Sequence, residues 1–189
     1  MRSINAPWIW LAIAALALLG ACRANATVSS GVDPVQHPQK AEPIFFAPPS
    51  DPSIRERQTE QIFRRCLARN AFNIVTAPEE AKWVLTFSVD RETYVAGWDS
   101  SGGIAVLGNS GLAISSESST VRRQTDVTIF VRVFSAADRT RPNPPLYWEG
   151  SVTALEKIHR VVPNAMVDAL LRSFGNDSYR RMRLKKEPE

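Results

Sequence analysis

Residues 6 to 21 form one unbroken apolar stretch, Ala6-Pro7-Trp8-Ile9-Trp10-Leu11-Ala12-Ile13-Ala14-Ala15-Leu16-Ala17-Leu18-Leu19-Gly20-Ala21, with Arg2 as the single cation before it. A helix that spans the hydrocarbon layer needs about 20 such residues, and this run falls short of that. A positive start, a short apolar core and a close of small residues are the pattern of an export signal. Residues 1–21 are therefore expected to be a signal peptide, so the folded part must come from the chain that follows.

The run ends in Leu19-Gly20-Ala21-Cys22. This resembles the lipobox of bacterial lipoproteins: an aliphatic residue, two small residues, then cysteine directly after the apolar core. The resemblance implies that Cys22 receives a diacylglyceryl group and becomes the mature amino terminus. Each buried methylene contributes about 0.8 kcal/mol, so several acyl chains anchor a protein durably. Arg23 follows, where the lipoprotein pattern uses Asp for inner-membrane retention. The resemblance thus implies an outer-membrane lipoprotein facing the periplasm. A rival cut exists after Ala24-Asn25-Ala26, a small-x-small site that would release a soluble periplasmic protein.

Net charge is +4 and hydrophobic residues make up 44% of the chain, which excludes a wholly disordered polypeptide. Two cysteines and two histidines are too few for a disulfide scaffold, a four-cysteine site or a three-histidine zinc site.

Residues 22–43 hold Ser29, Ser30, Gly31, Pro34, Pro38 and Pro43 with almost no bulky apolar side chain, the composition of a lipidated tether. A domain is expected over 44–175, of about 130 residues, enough for one core. Ile44 to Phe46 suggests a short strand. Ser53 with Glu56 fits a capping box, with Asp51-Pro52 as a second way to begin, and predicts a helix to about Arg69 along the stripe Ile62, Phe63, Cys66, Leu67.

Phe72 to Val75 suggests another short strand. Trp83, Leu85, Phe87 and Val89 alternate with less apolar neighbours, as in a half-buried strand running on to about Val95. Val121 to Phe134 and Leu146 to Ala154 predict an antiparallel pair. Between them and Val95, residues 97 to 120 carry five glycines and seven serines, with Gly108-Asn109-Ser110-Gly111 as a hairpin turn and the remainder mobile. A last helix is expected from Pro163, closed at Gly175-Asn176. Residues 176–189, with Arg180, Arg181, Arg183, Lys185 and Lys186, look like a basic, disordered tail that can be deleted after Asp177 without loss of the fold. The whole predicts an α+β domain: an antiparallel meandering sheet with two helices on one face.

The chain carries no G-x-S-x-G, H-E-x-x-H, Walker loop or C-x-x-C, and no cofactor or metal motif. Cys66 lies on the apolar stripe of the first helix, as a buried thiol would. His159 has no local partner that makes it a base, so a Cys66/His159 hydrolase is the weakest of the readings. Tyr94 and Trp98 flank the Gly/Ser segment and are the candidates for stacking on a glycan, a lipid or a partner. The basic tail suits anionic headgroups or cell-wall phosphates, and export disfavours nucleic acid.

The strand at Ile44, the helix, Ala81-Lys82-Trp83-Val84-Leu85-Thr86-Phe87, the Gly/Ser segment and Val127 to Phe134 leading to Trp148-Glu149-Gly150 together resemble small Gram-negative envelope lipoproteins built on a helix-backed sheet. The resemblance runs over about 44 to 175. It implies assembly, transport-auxiliary or structural roles and carries no catalytic residues. The expectation is a non-catalytic, lipid-anchored docking module, with a glycan- or lipid-binding lipoprotein as the alternative.

Overall fold

The alternation around Trp83 sets the centre of the architecture. In the computed structural model, which describes residues 24–101 and 118–184 (side chains over 25–96 and 122–184), Trp83, Leu85 and Phe87 are all buried on one face of a long strand. Seven strands form one sheet in the order β3-β2-β4-β5-β6-β1-β7. They are β1 (Ala24–Val32), β2 (Ile44–Ala47), β3 (Ile74–Val75), β4 (Trp83–Ser101), β5 (Ser118–Ser135), β6 (Leu146–Leu155) and β7 (Ser178–Leu184). Among the described residues, three α-helices accompany the sheet: α1 (Ile54–Arg69), α2 (Glu156–Val161) and α3 (Pro163–Leu171).

The α+β class holds, but the sheet is mixed. β2 runs parallel to β3 and to β4, and the remaining pairs are antiparallel. The cause is connectivity: α1 lies between β2 and β3 in the chain, and a helical crossover returns the next strand in the same direction. The capping box is present. The Glu56 amide donates to Ser53 Oγ at 3.3 Å, and the Ser53 amide donates to Glu56 Oε2 at 2.8 Å. The first helical turn thus begins where the sequence placed it.

Two segments depart from expectation. Residues 24–32, expected to be tether, form β1 and pair on both sides, Ala26 opposite Ala154 of β6 and Met182 of β7. Residues 178–184, expected to be disordered, form the edge strand β7, whose last residue Leu184 is buried. The domain therefore reaches beyond 44–175 at both ends. In the Gly/Ser segment, β4 continues to Ser101 and β5 starts at Ser118. The turn expected at Gly108 to Gly111 lies outside the described residues.

The core lies between one face of the sheet and the helices. Phe63 of α1 stacks on Phe46 and Phe87 at centroid distances of 5.9 and 4.9 Å, and Phe174 meets both Phe72 and Trp148. A bulge between Val133 and Phe134 leaves Tyr147 without a partner in the β5–β6 register, and its ring lies 5.1 Å from that of Trp83. The C-terminus of α1 is tied to α3 through Asp168, which is buried, accepts a hydrogen bond from Asn70 Nδ2 at 2.9 Å and pairs with Arg69. After α3 the chain turns through Gly175, whose φ of +74° lies in the left-handed region; a Cβ there would sit 2.6 Å from the Pro38 carbonyl oxygen. The opposite face of the sheet presents Thr86, Ser88, Thr128, Ser151 and Thr153, and no helix packs on it among the described residues.

Candidate functional site

The pairing registers gather several elements at one end of the sheet. Arg91 of β4 faces Val127 of β5, Val127 faces Ala154 of β6, Ala154 faces Ala26 of β1, and Ala26 faces Met182 of β7. Just beyond this row β1 begins, β6 and β7 end, and α2 follows β6. Past the Asp126–Leu155 pair, β4 and β5 pair only with each other and continue as a two-stranded ribbon to Ser101 and Ser118.

Tyr94 stands at the base of this ribbon, 40% exposed, and its hydroxyl donates to Asp126 Oδ2 at 3.2 Å. Partial desolvation, then the negative charges of Asp126 and Glu92, hold that phenol above its ordinary pKa, so it remains a donor. An open cleft of about 550 Å³ is lined by Tyr94, Asp126, Thr27, Thr153, Leu155, Arg181 and Arg183, among others. It joins an aromatic ring, an acceptor, hydroxyls and two guanidinium groups, a set that can hydrogen-bond a polar or anionic group beside an apolar wall. A second hollow of about 450 Å³ lies along the ribbon against Arg122, Arg123, Glu156 and Lys157.

The two arginines of β7 are functional candidates that reasoning on the sequence grouped with a solvated tail. Only the pairing of β7 with β1 brings Arg181 opposite Thr27 and Arg183 opposite Asn25. The backbone of Trp98 belongs to β4, paired with Val121, and its side chain lies outside the described ones. Cys22 also lies outside the described residues.

Cys66 is 1% exposed, and its thiol sits 3.8 Å from the Asn164 carbonyl oxygen inside the α1–α3 contact. Such burial raises the cost of a thiolate and keeps a substrate away. His159 borders a separate cleft of about 290 Å³, lined on α1 by Arg55, Gln58, Thr59 and Ile62. Its Nε2 is buried without a hydrogen-bond partner among the described residues. Burial first, and the Arg55 charge second, lower its pKa, so the imidazole is neutral at pH 7. Glu156 at the same cleft is engaged by both Arg91 and Arg160. Among the described residues, no group of three or more His, Cys, Asp or Glu side chains is placed to hold a metal ion. No described helix is long and apolar enough to cross a membrane.

No family model matches the chain, and no curated protein matches it. Among solved structures, it is similar to the PelC dodecamer from Paraburkholderia phytofirmans, at 13% identity and a TM-score of 0.43 over 80% of this chain and 99% of that one. A point variant of the same PelC gives 12% identity and a TM-score of 0.43 over 81% and 99%. A PDZ domain protein from Parabacteroides distasonis gives 11% identity and a TM-score of 0.40, over 88% of this chain and 41% of that one.

Proposed function

We propose that the chain is an envelope lipoprotein, anchored by acyl chains on Cys22 to the periplasmic face of the outer membrane, whose α+β domain is a non-catalytic docking or assembly module. The observation that carries this reading is the burial of Ala26. Export signals offer two cuts, before Cys22 or after Ala26. The second removes Ala24 to Ala26 from the start of β1, although Ala26 is 3% exposed and paired with both neighbouring strands. The first leaves the whole strand intact and places Cys22 two residues ahead of it. A folded domain that needs Ala26 favours the lipobox cut.

A second reading, glycan or lipid binding, draws on the cleft that contains Tyr94, Asp126, Arg181 and Arg183. It is compatible with the same anchor and concerns what the domain docks onto.

Metabolic labelling with a palmitate analogue tests the anchor. The parent chain is expected to carry label and to sediment with membranes, and Cys22→Ala to carry none and to leave the lipidated fraction. Label retained on Cys22→Ala overturns the assignment.

A further inference from the structure

The start of β1 and the ribbon belong to the same end of the sheet. Ala24 opens β1 opposite Leu184, at the end where β4 and β5 leave the other strands. Two residues of extended chain span at most about 7 Å. An acyl group on Cys22 therefore holds this end of a rigid sheet close to the bilayer, with no slack to stand off. From Thr93 to Ser101 the ribbon carries on past the other strands for roughly 30 Å of strand length at 3.4 Å per residue, with a bulge between Val95 and Gly97. A ribbon that starts beside so short an anchor lies within reach of the lipid surface.

The chemistry of this end fits such a neighbour. Arg181 and Arg183 on β7 and Arg122 and Arg123 on the ribbon are all exposed or line its two hollows. Lys185 and Lys186 follow β7 in the sequence, and Arg23 precedes β1. The carboxylates present are engaged in part: Asp126 with the Tyr94 hydroxyl, Glu156 with Arg91 and Arg160. Tyr94 and Val95, 40% and 52% exposed, stand beside the cations. Aromatic and aliphatic side chains flanked by arginine are the composition of an interfacial lipid contact.

We propose that this end of the sheet rests on an anionic phospholipid surface, with Arg181, Arg183, Arg122 and Arg123 at the headgroups and Tyr94 and Val95 at the boundary. The proposal depends on the reading of Cys22 as the anchor and adds the orientation of the domain: the end with the β4–β5 ribbon turned to the membrane surface, the opposite end to the periplasm.

The test uses the full chain, purified in detergent and reconstituted into phosphatidylethanolamine vesicles with phosphatidylglycerol, and in parallel into phosphatidylcholine alone. Val95→Cys at the ribbon base and Thr140→Cys at the opposite end each carry an environment-sensitive fluorophore, and Cys66 is too buried to compete. With about a quarter phosphatidylglycerol, acrylamide quenching at position 95 is expected to fall about three-fold or more relative to phosphatidylcholine alone, while position 140 stays quenched. Arg181→Glu/Arg183→Glu is expected to lose most of that protection. Equal quenching at 95 and 140 overturns the orientation. Equal protection in phosphatidylcholine overturns the role of the arginines. Protection at position 95 that rises with the ratio of protein to lipid at fixed lipid composition points to a second copy of the chain on this surface and overturns the lipid contact. Labelling of Cys22 in the parent chain shows an unacylated thiol and overturns the anchor itself, a result distinct from the other three.

Discussion

Ala26 of β1 lies directly opposite Ala154 of β6, and both side chains are buried. Two small residues face each other at the position where the amino-terminal segment joins the core, and both are almost wholly withdrawn from solvent. Ala26→Asp brings an unpaired carboxylate into this site and is expected to cost about 3 kcal/mol or more. In thermal unfolding that corresponds to a Tm lower by about 6–12 °C for a domain of this size. A melting curve unchanged within a degree or two would show that β1 contributes nothing to the folded unit.

The carboxy-terminal strand carries the same argument from the other edge. Truncation after Asp177 removes β7, unpairs the outer edge of β1 and uncovers the surface that Leu184 and Met182 close. Burial of Leu184 alone is worth about 1.5–3 kcal/mol. The truncated chain is expected to melt at least about 5 °C lower, in contrast to the dispensable tail that composition suggests. An unaltered Tm contradicts the pairing of β7.

The parts that the sequence made legible share one property. Trp83, Leu85, Phe87 and Val89 on β4, and Val127, Ile129, Val131 and Val133 on β5, alternate at the period of a strand because one face is buried under helices. The Ser53–Glu56 capping box is similarly local. β1 was not legible, because its sequence Ala-Asn-Ala-Thr-Val-Ser-Ser-Gly-Val is small and polar, and its burial comes from two neighbours distant in the chain. β7 was hidden by its arginines, which an edge strand tolerates because it is covered on one side only. Tyr94 could be singled out by position next to the Gly/Ser segment. Arg181 and Arg183 could not, since only the β1–β7 ladder brings them to the same cleft.

Gly150 offers a prediction that separates crowding from backbone freedom. A Cβ at this position would meet the Trp148 ring at 2.5 Å and Leu170 Cδ1 at 2.8 Å, whereas the nearest atom to one at Gly31 is 4.0 Å away. Gly150→Ala is expected to lose about 1–3 kcal/mol through forced movement of Trp148 and Leu170. Gly31→Ala is expected to change stability by less than about 0.5 kcal/mol. Chemical denaturation of the two variants side by side checks this, and equal losses contradict the close contact at Gly150.

His159 predicts a pH dependence with a definite sign. Its folded pKa lies below the ordinary value of 6.5, from burial and then from Arg55, so the unfolded chain binds the proton more readily. The contribution of the neutral imidazole is complete above about pH 6.5 and is lost as pH falls below it towards the folded pKa. Subtracting the stability curve of His159→Gln from that of the parent should leave a difference that rises with pH through this window and is flat above it. A difference that is flat throughout, or falls with rising pH, contradicts the burial of the charged form.

The most direct measurement of the central claim is the intact mass of the mature chain extracted from cell envelopes, with its first residue located by peptide fragmentation. The account predicts a chain that begins at Cys22 with diacylglyceryl and amide-linked acyl groups on that residue. A mature chain that begins at Thr27 without any fatty acid contradicts it.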